Sequence, residues 1–423
     1  MAFRFVHAAD IHLDSPLRSL ALRNAELAAL IGDATRSAFL ATVQLCLAEQ
    51  VDALLLSGDL YDGDQTSMKT ARFLADQVDA LDKAGIAVFI IRGNHDALSR
   101  ITKELSYPES VTIFGARTKP IAVQRPAGAL PIIIHGTSFT ETKAPESLLS
   151  KFGRPTEGAF DIGILHTSLG GAAGHDVYAP CTVGDLQATG FRYWALGHLH
   201  RRSISSGTAT IVMPGMPQGR DIGESGPKSV TLVTVADDGD VTLEERHTSV
   251  AQFEPLRIDL TGVQDWGELA PLLRQALGPL REVTRSEHLV ARVTIAGSTP
   301  LAWRLLHDRE AVLTEAQRQA DAMGKTWIDK VEFECSAEIS IPGSGNGDPV
   351  EELRLMMDDV RHDPAFKAEI SKYAQELRDQ LPNECRSVLG SDEQSFAAAI
   401  DRAARDGLDE VLARLKQPQS GAP

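Results

Sequence analysis

The chain has 423 residues, enough for two or three domains at the usual size of about 100–200 residues each. Apolar residues make up 43% of it and charged residues 24%, a balance that excludes a wholly disordered protein. Apolar runs such as 86–91 are far shorter than the roughly 20 residues that span a bilayer, and the N-terminal residues lack the apolar stretch of a secretory signal. We therefore expect a cytoplasmic protein that does not enter a membrane.

The four cysteines and the net charge restrict the function further. Cys46, Cys181, Cys335 and Cys385 are widely spaced and include no CxxC pair, which predicts reduced thiols without a zinc knot or disulfide framework. The net charge is −16, from 42 basic and 58 acidic residues. A protein that binds nucleic acid through a basic face would have the opposite balance, so a nucleic-acid substrate needs separate support.

Residues 1–250 have the pattern of an α/β domain. Alanine- and leucine-rich helical stretches at 21–49 and 66–84 separate the first strands, which predicts a central sheet. Later apolar runs at 203–213 and 228–247 have no long helix between them, which favours antiparallel strands. The five short apolar runs that predict buried strands in the first part of the domain are 3–8, 51–57, 86–92, 161–165 and 193–196.

The rest of the chain divides into a second domain, a linker and a helical region. Residues 253–341 predict a small α+β domain, because strands with alternating apolar residues flank helices at 264–277 and 300–324. The segment PGSGNGDP at 342–349 predicts a linker. Residues 350–416 predict amphipathic helices, the first with Leu353, Met356, Met357 and Val360 on one face.

Polar side chains with metal-binding chemistry come at the end of five predicted strands. Because ligands in open α/β sheets bind beyond the carboxyl ends of strands, we expect these side chains to converge. Taken singly, each short motif is more often a polar turn, so the prediction depends on their joint occurrence. The residues are Asp10 and His12 after the first strand, Asp59 after the second, Asn94 and His95 after the third, His166 after the fourth, and His198 and His200 after the fifth.

This set suits two metal ions. Imidazole and oxygen donors without thiolate favour Mn²⁺, Fe²⁺ or Zn²⁺. Without His95, the set has seven donors: two Asp, four His and one Asn. Seven donors are too many for one ion, and two ions about 3.5–4 Å apart need a bridging anion, for which Asp59 is the candidate. Two such ions lower the pKa of water and neutralise phosphate oxygens, so the pattern predicts phosphoester hydrolysis.

The motifs DxH, GDLYD, GNHD, GILH and GHLH, in this order, resemble those of the calcineurin-like metallophosphoesterases. Within that family, HAADIHLDSPL, GDLYDG and LHTSLGG…GHDVYAPC resemble the SbcD-type DNA repair exonucleases, and most of all the bacterial YhaO-like branch. The resemblance implies a four-layer α/β sheet sandwich with flanking helices, followed by a small α+β capping domain and C-terminal helices. It also implies two divalent ions, with Mn²⁺ preferred over Mg²⁺, Fe²⁺ or Zn²⁺.

The resemblance further implies a role for each motif residue. One ion would be held by Asp10, His12, Asp59 and His200, and the other by Asp59, Asn94, His166 and His198. His95 would be the catalytic histidine, which stabilises the transition state or protonates the leaving oxygen. Some nuclease relatives carry a histidine where this chain has Asp62, and a carboxylate cannot donate that hydrogen bond unless it is protonated. We expect Asp62 to order the site or a water, or to alter the balance of exonuclease and endonuclease activity.

Two further residues are candidates for substrate contact. Arg201 directly follows His200 and is placed to meet phosphate, although a solvent-facing residue is equally compatible with the sequence. His175 lies in a glycine-rich loop, for which a solvated loop residue is the alternative.

Three functions are compatible with this sequence. The first is a DNA exonuclease or endonuclease of DNA repair; the second domain and C-terminal helices favour it, and the family resemblance implies an SMC-like coiled-coil ATPase partner of the SbcC/YhaN type. The second is a phosphodiesterase or phosphatase acting on nucleotides or phosphoproteins, which the acidic net charge favours. The third is a non-catalytic scaffold on the same fold, which would not need every ligand. Self-association as a homodimer is left open.

Overall fold

The computed structural model describes residues 2–15, 25–62, 67–97, 107–142, 144–170, 178–336, 349–381, 386, 389–390 and 392–415. The predicted linker lies outside these residues except for Pro349, where a helix begins. No helix in the described part of the chain is long and apolar enough to cross a membrane.

The predicted strands and helices are present, and the structure adds three strands between residues 111 and 136 and a short helix at 183–188 that were not predicted. The strands are β1 (Phe3–Ala8), β2 (Ala53–Ser57), β3 (Ala87–Ile91), β4 (Val111–Ile113), β5 (Ile121–Ala122), β6 (Ile132–Gly136), β7 (Phe160–His166), β8 (Tyr193–Gly197), β9 (Ser203–Ser205), β10 (Thr210–Met213), β11 (Ser229–Val235), β12 (Val241–His247), β13 (Ala251–Asp259), β14 (His288–Ser298) and β15 (Thr326–Ser336). The helices are α1 (Ala25–Glu49), α2 (Met68–Lys83), α3 (Val183–Ala188), α4 (Leu269–Val283), α5 (Ala302–His307), α6 (Arg309–Met323), α7 (Pro349–His362), α8 (Pro364–Gln380) and α9 (Glu393–Leu415).

The described residues form two compact units. The first comprises Met1–Pro255, Leu280–Ala291 and Lys325–Asp329, and the second comprises Leu256–Pro279, Arg292–Gly324 and Lys330–Pro423.

Two six-stranded sheets form the framework of the first unit. One has the order β12-β11-β1-β2-β3-β4, in which β1 to β4 are parallel and β11 runs antiparallel to β1. The other has the order β5-β6-β7-β8-β10-β9, with β6, β7, β8 and β10 parallel. A third sheet has the order β13-β14-β15.

The two large sheets pack face to face. Phe5 and Leu55 of the first sheet share one apolar core with Ile162 and Tyr193 of the second. Because both faces of the central strands are covered, a strand such as β2 is buried at every position, which explains its continuous apolar sequence ALLLS.

Helices and loops cover the outer faces of the sheets. α1 and α2 pack on the first sheet, and the buried residues Leu74, Val78 and Leu81 of α2 lie at helical spacing. Leu186 of α3 packs with Trp194 on the outer face of the second sheet. The predicted α/β fold with layered sheets and flanking helices is confirmed.

In the second unit, the C-terminal helices bury part of their apolar surface. Leu412 of α9 is buried against Trp303 and Leu306 of α5, and Leu353 and Met357 of α7 pack beside them. Other apolar side chains of α7, α8 and α9 remain exposed; they include Met356, Val360, Tyr373, Leu377 and Val411.

Candidate metal centre

The seven predicted ligands come from the carboxyl ends of strands in both large sheets. Asp10, His12, Asp59 and Asn94 follow β1, β2 and β3 of the first sheet, whereas His166, His198 and His200 end or follow β7 and β8 of the second. Four of them, Asp10, His12, Asp59 and His166, are at most 2% exposed. The predicted ligands therefore lie close together, beyond the carboxyl ends of strands in the two packed sheets.

Four of the predicted ligands have a left-handed backbone that is unfavourable for residues with a side chain. The angle φ is 53° at Asp10, 46° at His12, 52° at Asp59 and 107° at His198. Such conformations persist where the surrounding structure imposes them, and they concentrate at functional sites. The clustering of these angles is a second indication, independent of residue type, that this edge of the fold is a site.

The motif glycines allow the strand ends to approach one another. A Cβ atom on Gly58 would lie 2.6 Å from Nδ1 of His166, and a Cβ atom on Gly93 would overlap the carboxylate of Asp59. The glycines of GDLYD and GNHD are thus required by close packing around the ligands.

Two groups of donor atoms are each compact enough to hold an ion. The donor atoms of Asp10, His12 and His200 lie within 4.8 Å of one another, as do those of Asp59, His166 and His198. Asn94 joins the second group, since its Oδ1 lies 3.0 Å from Nε2 of His166.

The buried charges favour cations. Asp59 lies 3.2 Å from Nε2 of His166. Burial alone would lower the pKa of His166, but Asp59 and then Asp10 outweigh it and raise that pKa to about 9. The pKa of His12 is lowered by burial to about 3, so its imidazole is neutral, the form that binds metals. Burial raises the pKa of Asp10 to about 6.

These residues fit two divalent cations. Nε2 of His12 lies 3.2 Å from Nε2 of His200, and two ring nitrogens at this distance require either a proton or a cation between them. Nδ1 of His12 is buried without a hydrogen bond among the described residues. Asp10 and Asp59 are buried carboxylates, which are costly without compensating positive charge. The nitrogen and oxygen donors suit Mn²⁺, Fe²⁺ or Zn²⁺.

His95 and Asp62 form a pair beside the ligands. Nδ1 of His95 lies 3.0 Å from Oδ1 of Asp62. The hydrogen bond with His95 holds the pKa of Asp62 well below its usual range, and the same bond raises the pKa of His95. The backbone N–H of His95 donates to Asp59 at 3.0 Å. His12, Asp62 and His95 also form a compact group of donor atoms.

A network that the sequence analysis missed supports the site from the other side. Glu224 accepts a hydrogen bond from Nδ1 of His200 at 2.7 Å, and Arg220 donates to Glu224 at 2.6 Å. The same guanidinium lies 3.6 Å from Asp62 and 3.3 Å from the hydroxyl of Ser15, which donates to Asp62 at 2.6 Å. Arg220 therefore connects a ligand histidine to the His95–Asp62 pair.

Glu224 and Arg220 have no signal in the sequence because they lie in the segment between β10 and β11, outside every motif. Burial alone would raise the pKa of Glu224, but hydrogen bonds with His200 and Arg220 lower it. Glu224 is therefore ionised and fixes the orientation of the His200 ring, as carboxylates commonly do for metal-binding histidines.

The site opens into a cleft of about 910 Å³. Asp59, Asn94, His95, His198 and His200 contribute to its lining, together with Tyr178, Arg201 and Lys228. Arg201, a predicted substrate contact, thus lies in the cleft. His175, the other, lies outside the described residues.

Comparison with known families agrees with this site. Residues 3–202 match the profile of the calcineurin-like phosphoesterases, and residues 253–336 match the middle domain of the metallophosphoesterase YhaO. The first match contains all seven predicted ligands and His95.

Three curated relatives resemble the chain over different lengths. The uncharacterized metallophosphoesterase YhaO of Bacillus subtilis is 28% identical over 401 residues, which cover 91% of this chain and 96% of that protein. The DNA double-strand break repair protein Mre11 of Sulfurisphaera tokodaii is 25% identical over 51% of this chain and 54% of its own length. The D component of the nuclease SbcCD of Bacillus subtilis is 24% identical over 57% of this chain and 68% of its own length.

Proposed function

The chain contains a calcineurin-like metallophosphoesterase domain, and on that premise we propose that it is a two-metal nuclease that hydrolyses phosphodiester bonds in DNA. The observation that carries the proposal is the convergence of seven donor side chains from two sheets on one cleft, with His95 beside them. A scaffold would not need this complete set, so we place the non-catalytic alternative last.

We propose that the ligands divide as the family resemblance implies. Asp10, His12 and His200 would hold one ion, and Asn94, His166 and His198 the other. Asp59 would be shared, since its charge acts on His12 as well as His166. Two bound cations would neutralise phosphate oxygens and lower the pKa of the attacking water. We propose Mn²⁺ as the ion, and Mg²⁺, Fe²⁺ or Zn²⁺ as alternatives that the same donors accept.

His95 is the proposed general acid. Its ring is 40% exposed and lines the cleft, so it can reach a substrate, and the carboxylate of Asp62 at Nδ1 leaves Nε2 to face the leaving oxygen. Asp62 is the positioning residue that holds the ring, and its hydrogen bond raises the pKa of His95 and so favours the protonated form. This role replaces that of the histidine which some nuclease relatives carry at this place.

DNA is proposed as the substrate because the named nuclease relatives, Mre11 and the D component of SbcCD, match the same part of the chain. The net charge of −16 does not oppose this as strongly as it first suggests. Residues 343–423 carry ten basic and sixteen acidic residues, and two dications would add positive charge within the cleft.

The rest of the chain is proposed to serve the nuclease domain at 1–250. Residues 253–341 would form the capping domain that shapes the entry of DNA. Residues 350–416, after the linker 342–349, would dock onto an SMC-like ATPase of the SbcC/YhaN type, with the exposed side chains of α7 to α9 as the contact surface. A homodimer and a cytoplasmic location remain part of the proposal.

Purified full-length protein tests the activity. With Mn²⁺ or Mg²⁺, we expect cleavage of labelled single- or double-stranded DNA and of bis-p-nitrophenyl phosphate. Cleavage of the small ester without DNA turnover, even with the partner ATPase present, would favour the second candidate, a phosphodiesterase or phosphatase for nucleotides or phosphoproteins. If the metal-loaded protein shows neither activity, the third candidate, a non-catalytic scaffold, is favoured.

A further inference from the structure

One cation in the cleft forms no ion pair among the described residues. The side chain of Lys228 lines the same cleft as His95 and His200, although the residue is only 9% exposed. Its ammonium group donates one hydrogen bond, to the carbonyl oxygen of Ser225 at 2.9 Å, and forms no ion pair within the described part of the chain. A buried ammonium group of this kind is costly unless an anion compensates it.

The nearby carboxylates are already engaged. Glu224 accepts hydrogen bonds from His200 and Arg220, and Glu254 accepts one from Gln252 at 2.6 Å. Neither carboxylate lies within ion-pair distance of the Lys228 ammonium group, whose hydrogen bond goes to Ser225.

A second cation, the guanidinium group of Arg201, lines the same cleft. Arg201 is exposed. Burial lowers the pKa of Lys228, Glu224 and then Glu254 oppose this shift, and Arg201 adds a smaller lowering effect. Two cations that repel each other beside an open cleft are the arrangement that an anion stabilises.

We propose that Lys228 and Arg201 form a second phosphate subsite, which binds a phosphate group one step along the nucleotide chain from the phosphate at the metal centre. This rests on the proposed function for the placement of the first phosphate. With this subsite, the preferred substrate would be a strand with at least two phosphates. The subsite would also allow an acidic protein to bind DNA through a few cations inside its cleft.

Binding of product-like nucleotides tests the subsite without turnover. In the Mn²⁺-loaded full chain, we expect thymidine 3′,5′-bisphosphate to bind roughly tenfold or more tightly than thymidine 3′- or 5′-monophosphate, as one added charge-assisted contact allows. Isothermal titration calorimetry measures the ratio. Lys228→Met keeps the apolar stem and should remove most of this advantage, whereas Lys228→Arg should retain part of it.

Lys119→Met is the matched control, because Lys119 is exposed in the segment between β4 and β5 and should leave the ratio unchanged. Equal binding of the bisphosphate and the monophosphates by the unmodified protein would overturn the inference. An unchanged ratio in Lys228→Met, with normal thermal unfolding, would also overturn it and make Lys228 a support for the Ser225 loop.

Two substrates identify the source of the second phosphate. The trinucleotide TpTpT offers an internal phosphate, and the dinucleotide pTpT offers a terminal one. For each substrate, the kcat/KM of Lys228→Met is compared with that of the unmodified protein, with bis-p-nitrophenyl phosphate as the reference. The substrate with the larger fall identifies which phosphate occupies the subsite. DNA cleavage without a bisphosphate preference would reject the subsite alone, whereas a bisphosphate preference without DNA cleavage would reject the nuclease alone.

Discussion

Asp59 and His95 are neighbours with separable tasks. Asp59 is buried among the predicted ligands, whereas the His95 ring is partly exposed and its backbone N–H donates to Asp59. A substitution of the His95 side chain can therefore leave the metal-binding framework intact, but a loss of charge at Asp59 cannot.

We expect His95→Ala to retain two ions and to lose turnover by about 10²-fold or more, as the loss of a general acid implies. Asp59→Asn should weaken both ions, since it removes the shared negative charge. Elemental analysis after gel filtration counts the ions. An empty site in His95→Ala, or two retained ions in Asp59→Asn, would contradict the assigned roles.

The pair formed by His95 and Asp62 predicts a pH dependence. Asp62 raises the pKa of His95, and a step that needs protonated His95 is lost as the pH rises through that pKa. Asp62→Asn removes the negative charge and lowers the pKa, so the alkaline limb of kcat against pH should move to lower pH. Ser15→Ala is the control, because it removes a hydrogen bond to Asp62 but keeps the charge, and its shift should be smaller. If the alkaline limb of Asp62→Asn lies at the same pH as that of the unmodified protein, Asp62 does not control the pKa of the general acid.

The contact between Glu224 and His200 predicts an effect on one ion. Glu224→Gln should reduce affinity for the ion held by His200 by about 10–100-fold, the usual effect of losing the partner of a ligand histidine. Metal titration by calorimetry would reveal this as the weakening of one of two binding events. The exposed residue Glu109 offers a control in Glu109→Gln, which should bind both ions normally.

Among the elements, the strands at the centre of the two sheets could be predicted because their apolar runs are continuous and end in polar motifs. The short edge strands β4 and β5 could not, since two or three residues give no periodic pattern. The predicted ligands, from Asp10 to His200, could be predicted because they lie at the ends of predicted strands. Arg220, Glu224 and Lys228 could not be predicted, because their positions depend on tertiary contacts of the segment between β10 and β11.

The helix pattern was informative only in part. Leu353 and Met357 pack inward as the spacing of α7 predicts, whereas Met356, on the same nominal face, is 62% exposed. An apolar stripe of this width exceeds the surface that α5 and α9 cover. Periodicity indicates which side of a helix is apolar, but only the neighbouring elements determine how much of it is buried.

The loop after β3 provides a prediction at the level of an element. Gly93→Ala would push a methyl group into the carboxylate of Asp59, so we expect loss of metal binding and of cleavage. Gly115→Ala is the matched change, because a Cβ atom there meets no atom of the described residues within 4 Å, and it should leave both properties unchanged. Metal content and turnover of bis-p-nitrophenyl phosphate are measured together. Full activity in Gly93→Ala would show that the loop can relax.

For the whole molecule, the exposed apolar side chains of α7 to α9 predict a binding surface. Met356→Lys combined with Val360→Lys should abolish co-purification with an SMC-like ATPase, while Mn²⁺-dependent cleavage of the small ester continues. Asp359→Asn, also at an exposed position of α7, is the control. Removal of everything after residue 341 is a less specific test, since it would also uncover Trp303 and Leu306. Retention of the ATPase by the double variant would place the contact elsewhere.

The division of the ligands between two sheets has a consequence for the order in which the protein is made. Synthesis delivers Asp10, His12, Asp59 and Asn94 first, but His200 is made only when nearly half of the chain has been translated. β11, which pairs with β1, is made later still. A nascent chain therefore carries at least half of the donors proposed for each ion before the second sheet exists, and neither proposed site is complete until both sheets have formed.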